Sequence, residues 1–209
     1  MSVGNDVVDL ADPETRLDGL HPRFVERAFT AAERERLEAS RARHTLHWAL
    51  WAAKESAYKA VKRLAPETVF SPREFEVELA PRFPARGRLA GGCVRHRGRR
   101  LGLRLRLEGG SVHAVAWVAG VTAGDRILWR ARRADGDPGL DARRLASTVI
   151  ASALGLDPSG LGIAGRPPLA TSAEGRAAAE VSLSHHGRFV AFACRLPATS
   201  ACCPGAPGW

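Results

Sequence analysis

Two carboxylates and one lysine have the types and the spacing for metal-assisted chemistry on a phosphate. Asp6 lies in the apolar stretch GNDVVDL, and Glu55 and Lys59 lie one helical turn apart in WAAKESAYKA. Mg²⁺ binds through one or two protein carboxylates and the phosphates of a substrate, so Asp6 and Glu55 would suffice if the fold brought them together. The alternatives are an aspartate that caps a turn at a strand end, and a surface ion pair worth a few tenths of a kcal/mol.

Three polar residues further along the chain suit phosphate binding. Ser184 and His185 stand at the end of a predicted strand in SLSHHG, and Arg166 stands in GRPPL between a glycine and two prolines. Their side chains donate hydrogen bonds to phosphate oxygens, although structural histidines and solvated arginines are commoner. The chain has no Walker loop, no GxSxG elbow and no HExxH motif. These residues together with the carboxylates predict chemistry on a phosphate or pyrophosphate.

The helix that carries Glu55 is predicted to be covered on two sides. Its core-facing stripe recurs at the helical period and consists of Leu46, Leu50, Ala53, Ala57, Val61 and Leu64. The opposite side holds Trp48, Trp51, Glu55, Lys59 and Lys62. Two exposed indoles are costly, so another part of the fold must cover this side as well.

Hydrophobic periodicity predicts an α+β fold of two similar lobes. GNDVVDL is typical of a strand, and it is followed by a helix with a capping box at Thr30 and Glu33, by the helix described above, and by four antiparallel strands. The same pattern then begins again with the strand DRILWRARR. We predict one lobe over residues 1–120, a second over 121–197 and a flexible tail over 198–209, with the boundary near residue 121.

The second lobe is predicted to contain one long helix and a hairpin. The helix LDARRLASTVIASALGLDP has Asp141 near its N-cap and Gly155 at its end. Its predicted apolar stripe is Leu145, Val149, Ser152 and Leu156. The stretch VSLSHHGRFVAFACRL predicts two strands with a turn at His186–Gly187.

The composition indicates a basic, globular protein without a membrane span. The net charge is +9, and residues 82–107 contain nine arginines and no acid, which indicates either a solvated face or a surface for an acidic partner. No run of 18 apolar residues is present, and acids stand where a signal peptide needs lysines. The cysteines have no zinc-like spacing and are expected to be free thiols in the cytoplasm; they are Cys93, Cys194, Cys202 and Cys203.

Five motifs resemble those of the 4′-phosphopantetheinyl transferases. They are GNDVVDL, RFVERAFTAAERERL, WAAKESAYKA, GRPPL and SLSHHGRFVAFA. The family pattern contains a Gly-x-Asp strand, a Trp-x-x-Lys-Glu-(Ala/Ser)-x-x-Lys helix, a Gly-Lys-Pro loop and a Ser-His-Ser/Thr turn. WAAKESAYKA is the most specific of the five. The resemblance covers most of the chain outside residues 65–120 and the tail.

The resemblance implies a two-lobed transferase fold and a Mg²⁺-dependent reaction. Such an enzyme moves the phosphopantetheine arm of coenzyme A onto a serine of an acyl or peptidyl carrier protein and releases adenosine 3′,5′-bisphosphate. By resemblance, Asp6 and Glu55 bind Mg²⁺ on the coenzyme A pyrophosphate. Lys59 binds a phosphate of coenzyme A, and Glu55, or a metal-bound water that it orients, takes the proton of the carrier serine.

The resemblance also assigns the phosphate-binding residues and the partner. Ser184 and His185 would hold the nucleotide phosphates, and Arg166 would replace the lysine of the Gly-Lys-Pro loop. The carrier proteins of this family are generally acidic, so an arginine-rich face would attract them. Either residues 82–107 or the region from Arg16 to Arg27 would supply that face. No membrane or nucleic-acid partner is expected.

The sequence departs from the family pattern in two ways. The surfactin-type members carry Asp-x-Glu at the first motif, whereas Val8 follows Asp6 here, so the third metal ligand is expected to be water, with Asp9 as the other candidate. In addition, the half with the Asp and Lys-Glu motifs comes first, as in the small holo-acyl-carrier-protein synthases. We predict a monomer with two lobes swapped relative to the surfactin type; the alternative is a small-synthase trimer with an insertion.

Two other functions remain open at this stage. The first is an inactive coenzyme A-binding or scaffold protein of the same fold, against which the presence of both Asp6 and Glu55 argues. The second is a basic RNA-binding protein that uses the arginine-rich hairpin, with salt-sensitive affinity. It leaves the Glu55 side of the helix unexplained, and the sequence has no recognisable RNA-binding signature.

Overall fold

The computed structural model describes residues 2–80, 89–118 and 126–196 and contains two antiparallel sheets. The first has the strand order β1-β5-β4-β3-β2. Its strands are β1 (Val3–Asp9), β2 (Glu76–Leu79), β3 (Leu89–His96), β4 (Arg99–Glu108) and β5 (Ser111–Val118). The helices between β1 and β2 are α1 (Phe24–Ala28), α2 (Ala31–Ala39) and α3 (Arg43–Leu64).

The second sheet repeats the strand order of the first. Its order is β6-β10-β9-β8-β7, with one long helix, α4 (Pro138–Leu154), after its first strand. The strands are β6 (Arg126–Arg133), β7 (Leu161–Ala164), β8 (Leu169–Ser172), β9 (Ala177–His186) and β10 (Phe189–Leu196). The predicted α+β class is confirmed. The boundary near residue 121 and the tail, with Cys202 and Cys203, lie outside the described residues, so the predicted lobe ranges remain a prediction.

Strand β4 has the one buried and one basic face that its alternating sequence predicts. Its four leucines are buried against the core of the first lobe, at Leu101, Leu103, Leu105 and Leu107. Arg104 and Arg106 point to the other face and are exposed. Residues 82–88 of the basic segment lie outside the described residues. Among the described residues, no helix is long and apolar enough to cross a membrane.

Helix α3 packs on the first sheet through the predicted stripe, with one exception at its end. Leu46, Leu50 and Ala57 are almost fully buried, whereas Leu64, the last helical residue, is 44% exposed. The prediction for Leu64 was therefore wrong: the helix ends at this residue, and the last core position of the stripe is Val61. Trp48, on the other side, is only 7% exposed, so α3 is covered on two sides.

The predicted stripe of α4 is correct at its start and wrong at its end. Leu145 is buried, but Ser152 and Leu156 are exposed. The helix begins earlier than predicted, with Asp137 as the N-cap, and its buried face consists of Ala142, Leu145, Ala146, Ile150 and Ala151 beside Asp141. Gly155 ends the helix in the left-handed conformation, as predicted, so Leu156 no longer follows the helical period.

Strand β1 is buried on both faces because it lies between α3 and the second sheet. Val3 and Val7 pack against residues of β6 and β10. Gly4 and Asp6 face α3 on the other side. A Cβ atom at Gly4 would lie 2.1 Å from the Ser56 carbonyl oxygen and 2.7 Å from the Ala60 nitrogen. Gly4 therefore allows α3 to lie directly on the strand that carries Asp6.

We expect Gly4→Ala to destabilise the protein. The added methyl group would contact backbone atoms of α3, which move only if the helix moves, and overpacking of this kind costs about 1–3 kcal/mol. Urea unfolding measures the loss. Gly91→Ala is the matched control, since nothing lies within 4 Å of a Cβ atom at that position. Equal stability of the two variants would contradict the close packing of α3 on β1.

Candidate active site

A cleft of about 360 Å³ lies between the two lobes and is lined by residues of both. The first lobe contributes the middle of β1 and one side of α3, and the second contributes the end of β9. The lining residues are Asp6, Val7, Val8, Trp48, Trp51, Glu55, Lys59, Leu183, Ser184, His185 and His186. Five of the six residues singled out from the sequence therefore line one cleft.

Asp6, Lys59 and Glu55 form a continuous charged group on one wall of the cleft. The Lys59 Nζ atom lies 2.7 Å from Asp6 Oδ1 and 3.6 Å from Glu55 Oε2, and it donates to the Asn5 carbonyl oxygen at 3.1 Å. The three side chains are partly buried, with exposed fractions of 13% for Asp6, 28% for Glu55 and 30% for Lys59. The ammonium group lies between the two carboxylates and offsets part of their negative charge.

The charges of this group influence one another. Burial raises the pKa of the Glu55 carboxyl, the negative charge of Asp6 raises it further, and Lys59 acts in the opposite direction. Burial alone would lower the pKa of Lys59, but Asp6 and Glu55 outweigh it and the pKa is raised. Two carboxylates that share one ammonium retain a local excess of negative charge. Their hard oxygen ligands suit a divalent cation of the Mg²⁺ type.

Ser184 and His185 reach the cleft from the second lobe at the end of β9. Ser184 is 7% exposed, and its Oγ atom lies 2.7 Å from Asn5 Oδ1. His185 is exposed in the cleft wall.

Near the C-terminal end of α3, Arg63 donates to the Val181 carbonyl oxygen and lies 3.6 Å from Glu180, so α3 is fixed to the same strand, β9.

Asn5 connects the two walls of the cleft, and the sequence analysis missed it. Its side chain contacts Ser184 Oγ at 2.7 Å and His113 Nε2 at 3.2 Å, and its backbone N–H donates to Ser182 Oγ at 3.0 Å. Its carbonyl oxygen accepts from Lys59. Asparagine is depleted in strands and polar groups are rarely buried without a partner, so an asparagine between Gly4 and Asp6 was the available signal.

Asp9 holds the lobes together and does not line the cleft. Its two carboxylate oxygens lie 2.7 Å from Arg188 Nε and Nη2, and they also accept from the backbone N–H groups of Ala11 and Arg188. The carboxylate is 1% exposed. Because its hydrogen bonds are already made within the protein, Asp9 is a poor candidate for the third metal ligand.

The Asp9–Arg188 pair should make stability depend on pH in acid. The hydrogen bond from Arg188 holds the pKa of Asp9 well below its usual value of 3.8, despite burial, and the backbone N–H of Ala11 lowers it further. A lowered folded-state pKa stabilises the protein above the unfolded value, and this contribution is lost as the pH falls below it. We expect the unfolding free energy to fall between about pH 5 and pH 2, and to fall less in Asp9→Asn. Urea titrations across this range test it; equal slopes would contradict it.

Trp48 and Trp51 line the cleft but are covered largely by their own lobe. Trp48 Nε1 donates to the Thr15 carbonyl oxygen at 2.7 Å. Trp51 packs against Phe24 and Phe70, with ring centroids 5.1 and 5.7 Å apart. The segments before and after α3 therefore supply most of the cover that the sequence analysis required.

Two other polar groups lie apart from the Asp6–Glu55 wall. Arg166 is exposed in the connection between β7 and β8 and is not among the residues that line the cleft, so its predicted role remains a prediction. Asp12, Glu14 and His186 have potential ligand atoms within 4.8 Å of one another. Asp12 already accepts the backbone N–H of Glu14 at 2.9 Å, and we assign no metal to this group.

Comparisons with known proteins agree with the motifs of the first lobe. Residues 2–98 match the family model of the 4′-phosphopantetheinyl transferase superfamily. A stretch of 61 residues is 36% identical to a holo-[acyl-carrier-protein] synthase of Parvibaculum lavamentivorans. The family resemblance is confirmed. The stretch covers 29% of this chain and 46% of the synthase, so the chain spans about half the length of this curated relative.

One solved structure is similar to this chain at a low level. The Thermotoga maritima holo-[acyl-carrier-protein] synthase aligns over 66% of this chain and 71% of its own, with 17% sequence identity and a TM-score of 0.39. The match to the phosphopantetheinyl transferase family model includes β1 and α3, which carry Asp6, Glu55 and Lys59. Ser184 and His185 lie beyond the matched residues, and the fold alone brings them to the cleft.

Proposed function

We propose that the protein is a 4′-phosphopantetheinyl transferase that acts on coenzyme A and an acidic acyl or peptidyl carrier protein. The observation that carries this proposal is the shared cleft: Asp6, Glu55 and Lys59 of one lobe face Ser184 and His185 of the other. The match of residues 2–98 to the transferase superfamily supports it independently.

In the proposed reaction the carrier serine is the nucleophile and the pyrophosphate of coenzyme A is the electrophile. The serine Oγ attacks the phosphorus that bears the pantetheine arm. The bond from this phosphorus to the bridging oxygen breaks, and adenosine 3′,5′-bisphosphate leaves with the electron pair. Glu55, or a water that it orients, takes the serine proton. The products are the phosphopantetheinylated carrier and the nucleotide bisphosphate, so no oxidant or further reactant is required.

Asp6 and Glu55 are the residues that would hold Mg²⁺. The donor set fits a hard cation, because two carboxylates already share one ammonium in the structure. Mg²⁺ would supply neutralisation of the charge that develops on the leaving phosphate. Lys59, which contacts both carboxylates, would bind a phosphate of coenzyme A. Water completes the metal ligands in this proposal.

Ser184 and His185 would bind the nucleotide phosphates from the opposite wall. A serine hydroxyl has one proton to donate, so whether Ser184 donates into the cleft depends on whether Asn5 accepts that proton. In the structure Ser184 Oγ donates to Asn5 Oδ1; with the Asn5 amide turned by 180°, Nδ2 would donate to Ser184 Oγ and the Ser184 hydroxyl would be free to donate into the cleft. The same orientation donates to His113 Nε2, an acceptor in the neutral imidazole, and burial lowers the pKa of His113 to about 3. It also gives Asn5 Nδ2, a buried donor without a partner among the described residues, two acceptors, and it moves Oδ1 to the unpartnered position.

A transfer assay tests the proposed function. The protein is incubated with coenzyme A, Mg²⁺ and a panel of apo-carrier proteins from fatty acid, polyketide and peptide synthesis. We expect a mass gain of one phosphopantetheine arm on at least one carrier, together with one equivalent of adenosine 3′,5′-bisphosphate. Binding of coenzyme A without transfer to any carrier would contradict the enzyme and favour the inactive binding or scaffold protein.

A further inference from the structure

The internal repeat of the fold creates a second cleft that corresponds to the first. Strand β6 corresponds to β1, and the hairpin β4–β5 corresponds to the hairpin β9–β10, because both sheets have the same strand order. A cavity of about 190 Å³ lies between β6 and the β4–β5 hairpin. It shares no lining residue with the cleft that contains Asp6.

Strand register identifies the residues that correspond between the two clefts. Asp6 pairs with Ala114, the fourth residue of β5, and Arg130 pairs with Phe192, the fourth residue of β10. Ser184 of β9 and Arg106 of β4 lie at the same position relative to the turns of their hairpins, so these two residues correspond as well. The second cleft therefore has a guanidinium where the first has the carboxylate of Asp6, and another where the first has the hydroxyl of Ser184.

The lining of the second cleft is cationic and aromatic. Its arginines and rings include Arg106, Arg130, Arg132, Arg133, Trp129 and Phe189, and the carboxylate of Glu108 lines it as well. Arg106 is paired with Glu108 at 3.1 Å, and Arg132 is paired with Asp135 at 2.8 Å and Asp141 at 3.3 Å. Within residues 2–80, 89–118 and 126–196, no salt bridge joins an acid to either Arg130 or Arg133. Two positive charges thus remain uncompensated at one small cavity.

The positions of the rings favour a bound anion at this place. The Arg133 guanidinium lies 5.7 Å from the centroid of the Phe189 ring, which limits the positions it occupies. Trp129 is partly buried beside His113, with ring centroids 5.0 Å apart, and forms a fixed wall. Guanidinium groups bind phosphate oxygens in pairs of parallel hydrogen bonds. A cavity of 190 Å³ is smaller than the usual ligand site of about 300–1,000 Å³, so it fits a phosphate or diphosphate group and excludes a whole cofactor.

We propose that this second cleft is a binding site for a diphosphate group, with Arg130 and Arg133 as its main ligands. The group belongs either to free inorganic pyrophosphate or to a nucleotide whose base stays outside the cavity. The site does not depend on the proposed transferase activity, because the two clefts have separate linings.

Titration with inorganic pyrophosphate, without divalent cations and at low ionic strength, tests the proposal. The readout is the indole N–H resonance of Trp129, assigned with Trp129→Phe, because binding in the first cleft would instead shift the resonances of Trp48 and Trp51. We expect saturable binding that weakens at least about tenfold in Arg130→Gln/Arg133→Gln. Adenosine 5′-diphosphate distinguishes the sources: equal affinity indicates recognition of the diphosphate alone, and tighter binding indicates a nucleotide.

The control variant removes the same charge elsewhere on the surface. Arg41 and Arg144 are exposed, and neither lines the second cleft. Arg41→Gln/Arg144→Gln should bind pyrophosphate within about twofold of the wild type, because neither residue lines the cavity. General attraction to a basic protein depends on net charge and would weaken equally in both double variants. Equal weakening in both double variants would overturn the site, as would a wild-type titration that does not saturate or that shifts only Trp48 and Trp51.

Discussion

Glu55→Gln should lose at least about a hundredfold of transfer activity while it keeps the fold, because general-base catalysis contributes roughly 10²–10⁴ in rate. The substitution keeps the size and one hydrogen-bonding oxygen of the side chain but removes the charge that would bind Mg²⁺ and accept a proton. Glu55 lies close enough to Asp6 for the negative charge of Asp6 to raise its pKa. Removing a carboxylate that is repelled in this way should not lower stability.

The control for this variant is Glu38→Gln, an exposed carboxylate of α2 outside the cleft. Initial rates on the apo-carrier and thermal unfolding are measured for both variants and the wild type. We expect Glu38→Gln to match the wild type in both measurements. Activity of Glu55→Gln close to the wild type would remove this residue from the mechanism, and a large drop in its melting temperature would indicate a structural role.

Lys54→Met should have the largest effect on stability among the substitutions considered, about 3–5 kcal/mol, because it leaves a buried carboxylate without its cation. Lys54 is fully buried, and its Nζ atom lies 2.8 Å from Glu33 Oε2. The same ammonium donates to the carbonyl oxygens of Pro72 and Phe75 at 3.1 and 2.6 Å. Burial lowers the pKa of Lys54, and the charge of Glu33 opposes that change.

A second substitution separates the unpaired charge from the lost packing. Glu33→Gln combined with Lys54→Met removes both charges. Glu33 Oε2 accepts the backbone N–H of Thr30 and Oε1 accepts that of Val77, each at 2.8 Å, and the glutamine keeps one of these two acceptors. We expect the double variant to recover part of the stability in urea unfolding. If it were no more stable than Lys54→Met, the loss would come from packing and from the carbonyl groups, and the buried ion pair would be a minor factor.

The elements of the fold were predictable where periodicity is strong. Strand β4 alternates leucine with glycine or arginine from Leu101 to Leu107, and α2 begins with a capping box that the structure contains at Thr30 and Glu33. The predictions of buried residues were wrong at the ends of the helices. Leu64 and Leu156 follow the helical period in sequence, but a helix end and a left-handed glycine place them outside the packed stripe.

The individual residues of the candidate site were predictable from the sequence, but the contacts between them were not. Local spacing places Glu55 beside Lys59 on one helix, whereas the contact of Lys59 with Asp6 depends on the close approach at Gly4. Asn5 was missed because its partners His113 and Ser184 are distant in sequence. Such contacts depend on the packing of the lobes, which has no period in the sequence.

Lys54 is a second residue whose contacts could not be predicted from local spacing. Its neighbour Glu55 lines the cleft, yet Lys54 itself is a core residue that ties α2 to α3. Glu33 was predicted to act locally, in the capping box of its own helix. The structure shows that one of its oxygens serves the cap while the carboxylate also neutralises Lys54.

The central claim is that one chain builds the whole site, with the carboxylates from its first lobe and the Ser-His turn from its second. Mixing two inactive variants tests it most directly: Glu55→Gln and Ser184→Ala/His185→Ala are co-expressed, purified together and assayed for transfer. The account predicts activity no higher than the mean of the two variants alone, and light scattering at the 22.4 kDa of one chain. Recovery to about a quarter of the wild-type rate, the fraction of subunit interfaces that would pair two intact halves, would show a site shared between chains and contradict the account.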